Sequence, residues 1–235
     1  MPSKYLKNAL TTVDWNENVK TFISNDMAVE KISNASLRMA IWSKQLEAAD
    51  QGNPALSFVR EMQTAGQLVA ASLSLALYRA AAGSIRSMLE NALYYTFFRC
   101  HAKELETLVR NPKYFIDKNE IIDFHKNHTV DFTQSQQHLS LIGDLETWYS
   151  LISSIVHGQL PGIWNNQTEL SKTAYDVKIL ESAVDIFCKG ETIVHRLFLC
   201  TVARELWDHF SQTSKDKLLS GLDGKAKLIL KLDGH

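Results

Sequence analysis

The chain has 235 residues, 45% of them apolar, 22% charged and 9% aromatic, which suits one sizeable globular core and excludes a chain disordered throughout. A formal net charge of −1 excludes a global positive field, so any contact with nucleic acid must use a local patch. Ten glycines and four prolines, roughly half the usual share, argue against a turn-rich β protein and for helices filling more than about 60% of the chain.

Cys100, Cys188 and Cys200 are an odd number of cysteines in a chain large enough to be held by its core, a usage that fits a reducing cytoplasm. The N-terminal MPSKYLKNALTTVDW has no apolar stretch ahead of a small-residue cleavage site. The longest apolar run, Leu68 to Tyr78, is too short to span a bilayer, so the expectation is a cytoplasmic protein without membrane attachment.

In chain order, Met27 to Glu47 carries Ile32, Ala35, Met39, Trp42 and Leu46 at helical steps, with Asp26 as the predicted N-cap. Gly52-Asn53-Pro54 combines a helix-ending glycine, an Asn cap and a proline suited to a first helical turn. A second helix is predicted from Pro54 to about Cys100, bent near Gly66 or Gly83. Shorter helices follow at Lys103 to Arg110 and at Lys118 to Lys126, the latter opened by an Asp117/Glu120 capping box. Residues 129–140 are polar and aperiodic and read as a loop. Asp144 to His157 reads as a helix stopped at Gly158, and Thr173 to Phe210 as the last long helix, with Leu180, Val184, Phe187, Val194 and Phe198 on one face. Lys227 to Leu232 alternates like a short strand.

The expected fold is all-α: an antiparallel four-helix bundle over residues 54–212, with N-terminal helices in 1–53 packed on it, a helical insertion at 103–140 and a tail at 213–235.

Two constellations could carry chemistry. The stretch from Leu68 to Phe98 is apolar on nearly every side, as a central helix is, yet Ser72, Arg79, Arg86 and Glu90 return to nearly one angle and form a polar seam that Tyr94, Phe97 and His101 continue. Arg86 and Glu90 suit an ordinary i,i+4 ion pair beside a surface Arg79, or one wall of a polar groove. In YSLISSIVHGQLPG, Ser150, Ser153, Ser154 and His157 share one side of a helix. His157 stands in the last turn, where the helix dipole favours a cation and where an imidazole serves either as a C-cap or as an acid-base group. Packing the central helix beside this one predicts that Arg86, Glu90 and His157 meet.

RSMLENAL on a long helix followed by YSLISSIVHG resembles the HEPN superfamily of prokaryotic helical proteins, particularly its abortive-infection-like branch, over roughly residues 55–210. The resemblance implies a dimerising four-helix bundle of defence or toxin-antitoxin type, engaging RNA or a partner protein. Its active members are metal-independent ribonucleases with an R-x4-6-H motif. His157 corresponds to the family histidine, but the positions where the motif would carry arginine hold Ser150, Leu151 and Ile152. An arginine from the neighbouring helix, Arg86 or Arg79, could replace it in space. The alternative is a non-enzymatic helical module that assembles into a larger complex.

Other signals are weaker. Arg204 and His209 have the R-x4-H spacing within a charged segment, and His125, His128 and Asp131 follow H-x2-H-x2-D without a third strong ligand on the same helix, so no metal and no cofactor is expected. Cys188 and Cys200 read as small core residues, and Trp148, Trp164 and Trp207 as core or interface.

Overall fold

The computed structural model describes residues 2–164 and 167–232, of which the chain is 77% helical with no strand among the described residues. Two short helices, α1 (Pro2–Thr12) and α2 (Trp15–Ile23), lead into α3 (Asp26–Ala49), α4 (Leu56–Ser74) and α5 (Tyr78–Phe98). A peripheral run follows: α6 (Ala102–Arg110), α7 (Lys118–His128) and α8 (Phe132–His138). Then come α9 (Leu141–Val156) and α10 (Val177–Cys200), and the chain closes with α11 (Ala203–Leu206), α12 (Gln212–Leu219) and α13 (Gly224–Leu230).

The hub is α5, which packs against α4, α6, α7, α9 and α10. Ile85, Met88, Leu89, Ala92 and Tyr95 are fully buried along one side of it. Arg79, Ala80 and Gly83 on the other side are exposed, so α5 has a solvent face, a correction to the helix apolar on nearly every side that the sequence predicts. Contacts of α3 with α4, α4 with α5, α5 with α10 and α10 with α3 close a ring around the core. The expectation of a purely antiparallel arrangement needs correcting. Lys31 meets Asp185, Arg38 meets Glu191 and Trp42 meets His195, so α3 and α10 run parallel. Tyr78 bonds the Asp176 carbonyl and Tyr95 packs on Phe198, so α5 and α10 are parallel too. The cause is the excursion from α6 to α9, which returns the chain to the starting end before α10 begins. In contrast, α9 runs antiparallel to α10, with Trp148 over Gly190 and Asp144 bonded to Lys189 and Arg196.

Small residues set two of the closest approaches. A Cβ at Gly66 would lie 2.5 Å from the Met39 Cε atom, and one at Gly190 would strike the Trp148 ring. Trp148 then donates its indole N–H to the Ile186 carbonyl at 2.8 Å, which fixes α9 against α10.

Several boundaries differ from those predicted. The helix expected from Pro54 to Cys100 is two helices, broken at 75–77 where Ala76 takes a left-handed φ of 57°, rather than one helix bent at a glycine. Asn25, not Asp26, caps α3, accepting from the Ala28 N–H at 3.1 Å. The stretch read as a loop contains α8, anchored by the buried Phe132. The stretch read as a strand is α13, capped by Asp223 and burying Ala226 and Leu230 one turn apart. The last long helix ends at Cys200, ten residues short of Phe210.

Candidate functional site

The C-terminal end of α9 is closed by two devices. Gly158 adopts φ +71°, the Gly158 N–H donates to the Ile155 carbonyl at 3.1 Å and the Gln159 N–H to the Ser154 carbonyl at 2.9 Å, a Schellman pair. Arg79, from the first turn of α5, donates to the Val156 carbonyl at 3.3 Å and places a cation at the negative end of the helix dipole. A Cβ on Gly158 would come within 3.0 Å of the Arg79 guanidinium, so the glycine supplies both the backbone angle and the space. This closure holds His157 as the C-cap residue, with its ring exposed.

Two turns along α5 from Arg79, Arg86 reaches the same end of α9. Its Nε donates to Glu90 Oε1 at 2.8 Å, its Nη2 to the Tyr149 hydroxyl at 3.0 Å, and its Nη1 lies 2.7 Å from His157 Nε2. Arginine has donors only, so His157 Nε2 must be the acceptor and the ring carries its proton on Nδ1. Tyr149 in turn donates to Glu90 Oε1 at 2.7 Å, closing a triangle of Arg86, Glu90 and Tyr149. The guanidinium carbon also lies 5.2 Å from the Tyr149 ring centre, and the Lys118 ammonium 5.6 Å from it.

Burial opposes the charge on Arg86, but the Glu90 bond and carboxylate field, helped by Tyr149, outweigh it and hold the guanidinium above its ordinary value. Burial, then the bond to the Glu90 carboxylate, pushes the Tyr149 phenol up to about 12, so it remains a donor at neutral pH. Arg86 keeps a fifth of its side chain exposed and Glu90 over a third, so the cluster stands at the surface.

The geometry therefore brings together Arg86, Glu90 and His157. Sequence reasoning passed over Tyr149, although it stands eight residues before His157, where two i+4 steps keep the side chains on neighbouring angles. Ser72 lies beyond the break between α4 and α5 and leaves the expected seam. Of the serine strip, Ser150 is exposed and Ser154 bonds the Ser150 carbonyl. Ser153 alone turns inward, with its buried hydroxyl lacking a partner among the described residues.

The weaker signals resolve into structure. Arg204 bonds Asp131 and the Val130 carbonyl, while His209 is exposed in a 3-10 turn. His125 is buried, with Nε2 3.0 Å from Thr96 Oγ1 and Nδ1 2.8 Å from Thr129 Oγ1, whereas Asp131 is held by Arg204 and Lys231. Among the described residues no group of three or more His, Cys, Asp or Glu is placed to hold a metal ion. Cys200 and the three tryptophans Trp148, Trp164 and Trp207 are buried, and burial pushes the half-buried Cys188 thiol up to about 11. Among the described residues no helix is long and apolar enough to cross a membrane.

A second Arg–Glu–His set, absent from the expectations, lies between α3 and α10. Arg38 grips the buried Glu191 with two donors, and Trp42 donates to His195 Nδ1 at 3.0 Å one turn further on. The legible signal was the matched i,i+4 spacing of Arg38/Trp42 and Glu191/His195.

No family model, curated protein or solved structure matches the chain.

Proposed function

We propose that the protein is a HEPN-like, RNA-acting helical protein of prokaryotic defence or toxin-antitoxin type, in which Arg86 of α5 takes the place of the arginine missing beside His157. The observation that carries this reading is the 2.7 Å approach of Arg86 Nη1 to His157 Nε2 across two helices, at an exposed site. Arginine and histidine at that separation can both address one phosphodiester. The phosphate oxygens draw the guanidinium donors away from Nε2, which frees the imidazole lone pair as a general base. His157 then takes the proton of the ribose 2′-hydroxyl as its oxygen bonds to phosphorus. The bond to the 5′-oxygen breaks, and that oxygen takes a proton from solvent. Arg86 stabilises the charge that builds on the phosphorane, while Glu90 and Tyr149 orient the guanidinium.

The test is incubation of the full chain with a mixed-sequence single-stranded RNA pool in the presence of EDTA. The expected products carry 2′,3′-cyclic phosphate and 5′-hydroxyl ends, and His157→Ala lowers the rate about 100-fold or more while the melting temperature stays within about 2 °C. Intact RNA after exhaustive incubation would overturn the catalytic reading.

The assembly reading has its own observation. Tyr5, Leu6 and Leu10 of α1 are 71%, 55% and 43% exposed, an apolar surface that a partner protein or a second copy of the chain would cover. Under that reading RNA stays intact and charged substitutions on α1 abolish association.

A further inference from the structure

Arg86 separates two spaces. On one side is His157; on the other is a cavity of about 270 Å³ lined by Glu90, Tyr94, Phe115, Asp117, Lys118 and Tyr149. That volume equals roughly nine water molecules, enough for one planar heterocycle and too little for a base pair. Its walls suit a ring rather than a phosphate. Tyr94 and Phe115 supply aromatic surface, and Phe115, on the connector between α6 and α7, is 68% exposed at the site. The charges cancel, with Arg86 and Lys118 against Glu90 and Asp117, so an anion gains no net attraction.

The hydrogen-bonding capacity left over includes donors and acceptors. Each Arg86 nitrogen makes one bond and Lys118 donates to Asn119 Oδ1 at 2.7 Å, which leaves N–H donors on Arg86 Nη1 and Nη2 and on the Lys118 ammonium. Both bonds to Glu90 fall on Oε1, and Asp117 receives the Asn119 N–H on Oδ1, so Oε2 of Glu90 and Oδ2 of Asp117 have no hydrogen-bond partner among the described residues. Ionised carboxylates only accept. The cavity therefore suits a neutral aromatic ring that presents adjacent N–H donors together with an acceptor. Among nucleobases, guanine offers that edge, with N1–H and the N2 amino group for the free carboxylate oxygens and O6 for the Lys118 ammonium. Adenine, cytosine and uracil each set an acceptor beside the donor, so they lack the second adjacent N–H and leave one carboxylate oxygen unmatched.

We propose that this cavity is a guanine subsite, adjoining the phosphate position between Arg86 and His157. The phosphate position rests on the function proposed above; the base pocket does not depend on catalysis.

The test is calorimetric titration of the full chain with GMP, AMP, CMP, UMP, free guanosine, inorganic phosphate and spermidine. GMP is expected to bind at least tenfold more tightly than the other three monophosphates, and guanosine to compete with it. Phe115→Ala, at an exposed position that leaves folding intact, should weaken GMP about tenfold. Glu90→Gln should erase the preference for GMP over AMP, and His157→Ala should keep it. Selective GMP binding without RNA cleavage would uphold this subsite and overturn the nuclease reading. Cleavage without base preference, together with equal binding of all four monophosphates, would do the reverse. Binding of phosphate as tight as that of GMP, or of spermidine in competition with guanosine, would overturn the subsite.

Discussion

The molecule builds the same three residue types twice, and the two sets behave differently. Between α3 and α10, Glu191 has 2% of its side chain exposed and both its oxygens accept from Arg38, which also bonds Thr192. Between α5 and α9, Glu90 has 37% of its side chain exposed, a carboxylate oxygen is unused, and the histidine stands at the surface. Burial holds Glu191 above the ordinary carboxylate range against the pull of Arg38, and pushes His195 well below the ordinary imidazole range. The buried Glu191 has spent both carboxylate oxygens on Arg38, and the pair fixes the register of two parallel helices. The exposed set keeps donors and acceptors that a ligand can take. Residue identity alone does not separate a strut from a site; burial and unspent hydrogen-bonding capacity do.

The largest effect should fall on the buried set. Glu191→Ala leaves the Arg38 guanidinium without its carboxylate, a loss of about 3 kcal/mol, at the lower end for a broken buried pair because Arg38 is partly exposed and can rehydrate. Glu90→Ala breaks a surface pair and should cost under about 1 kcal/mol. Urea unfolding of the two variants measures the difference, and equal losses would erase the distinction.

Next comes acid. Burial pushes His125 down to about 4, and Thr96, which donates to the Leu93 carbonyl at 2.8 Å, can only accept from His125 Nε2–H, so Nδ1 accepts from Thr129. A histidine whose folded value lies below its unfolded one binds fewer protons when folded. Stability is therefore complete above about 6.5 and is lost as pH falls towards 4. By pH 5 this amounts to roughly 2 kcal/mol from His125, and His195 acts in the same direction because Trp42 already occupies its Nδ1. Glu191, with its raised value, opposes the loss as it takes up a proton. A melting temperature that does not fall between pH 7 and 5 would contradict this account of the core, and His125→Gln should flatten the slope.

A smaller effect is expected at the end of α9. Gly158→Ala must hold a left-handed residue against the Arg79 guanidinium and should cost about 1 kcal/mol, measured by thermal unfolding. Arg79→Ala should recover part of that loss by opening the space.

How much of this was legible in the sequence varies by element. The convergence of Arg86, Glu90 and His157 could be read because helical spacing places the first two on one face, and Gly158 fixes where the other helix stops. The break at Ala76 could not, since neither glycine nor proline marks it, and the left-handed turn is held by tertiary packing of two helices that fold back on each other. The segment Lys227 to Leu232 alternates, but the i+4 pair Ala226/Leu230 behind the Asp223 cap fits the helix better, with Leu228 left 78% exposed. The buried Arg38–Glu191 pair escaped notice because a buried ion pair looks like a surface one until its partner helix is known.

The difference between the two sets is tested most directly by the RNA-cleavage rate per folded molecule in Arg86→Ala and Arg38→Ala, each paired with its melting temperature. The account predicts a crossed result: Arg86→Ala keeps its melting temperature and loses at least about 100-fold in rate, while Arg38→Ala melts lower and cleaves normally. Parallel losses of rate and stability in both variants would contradict it.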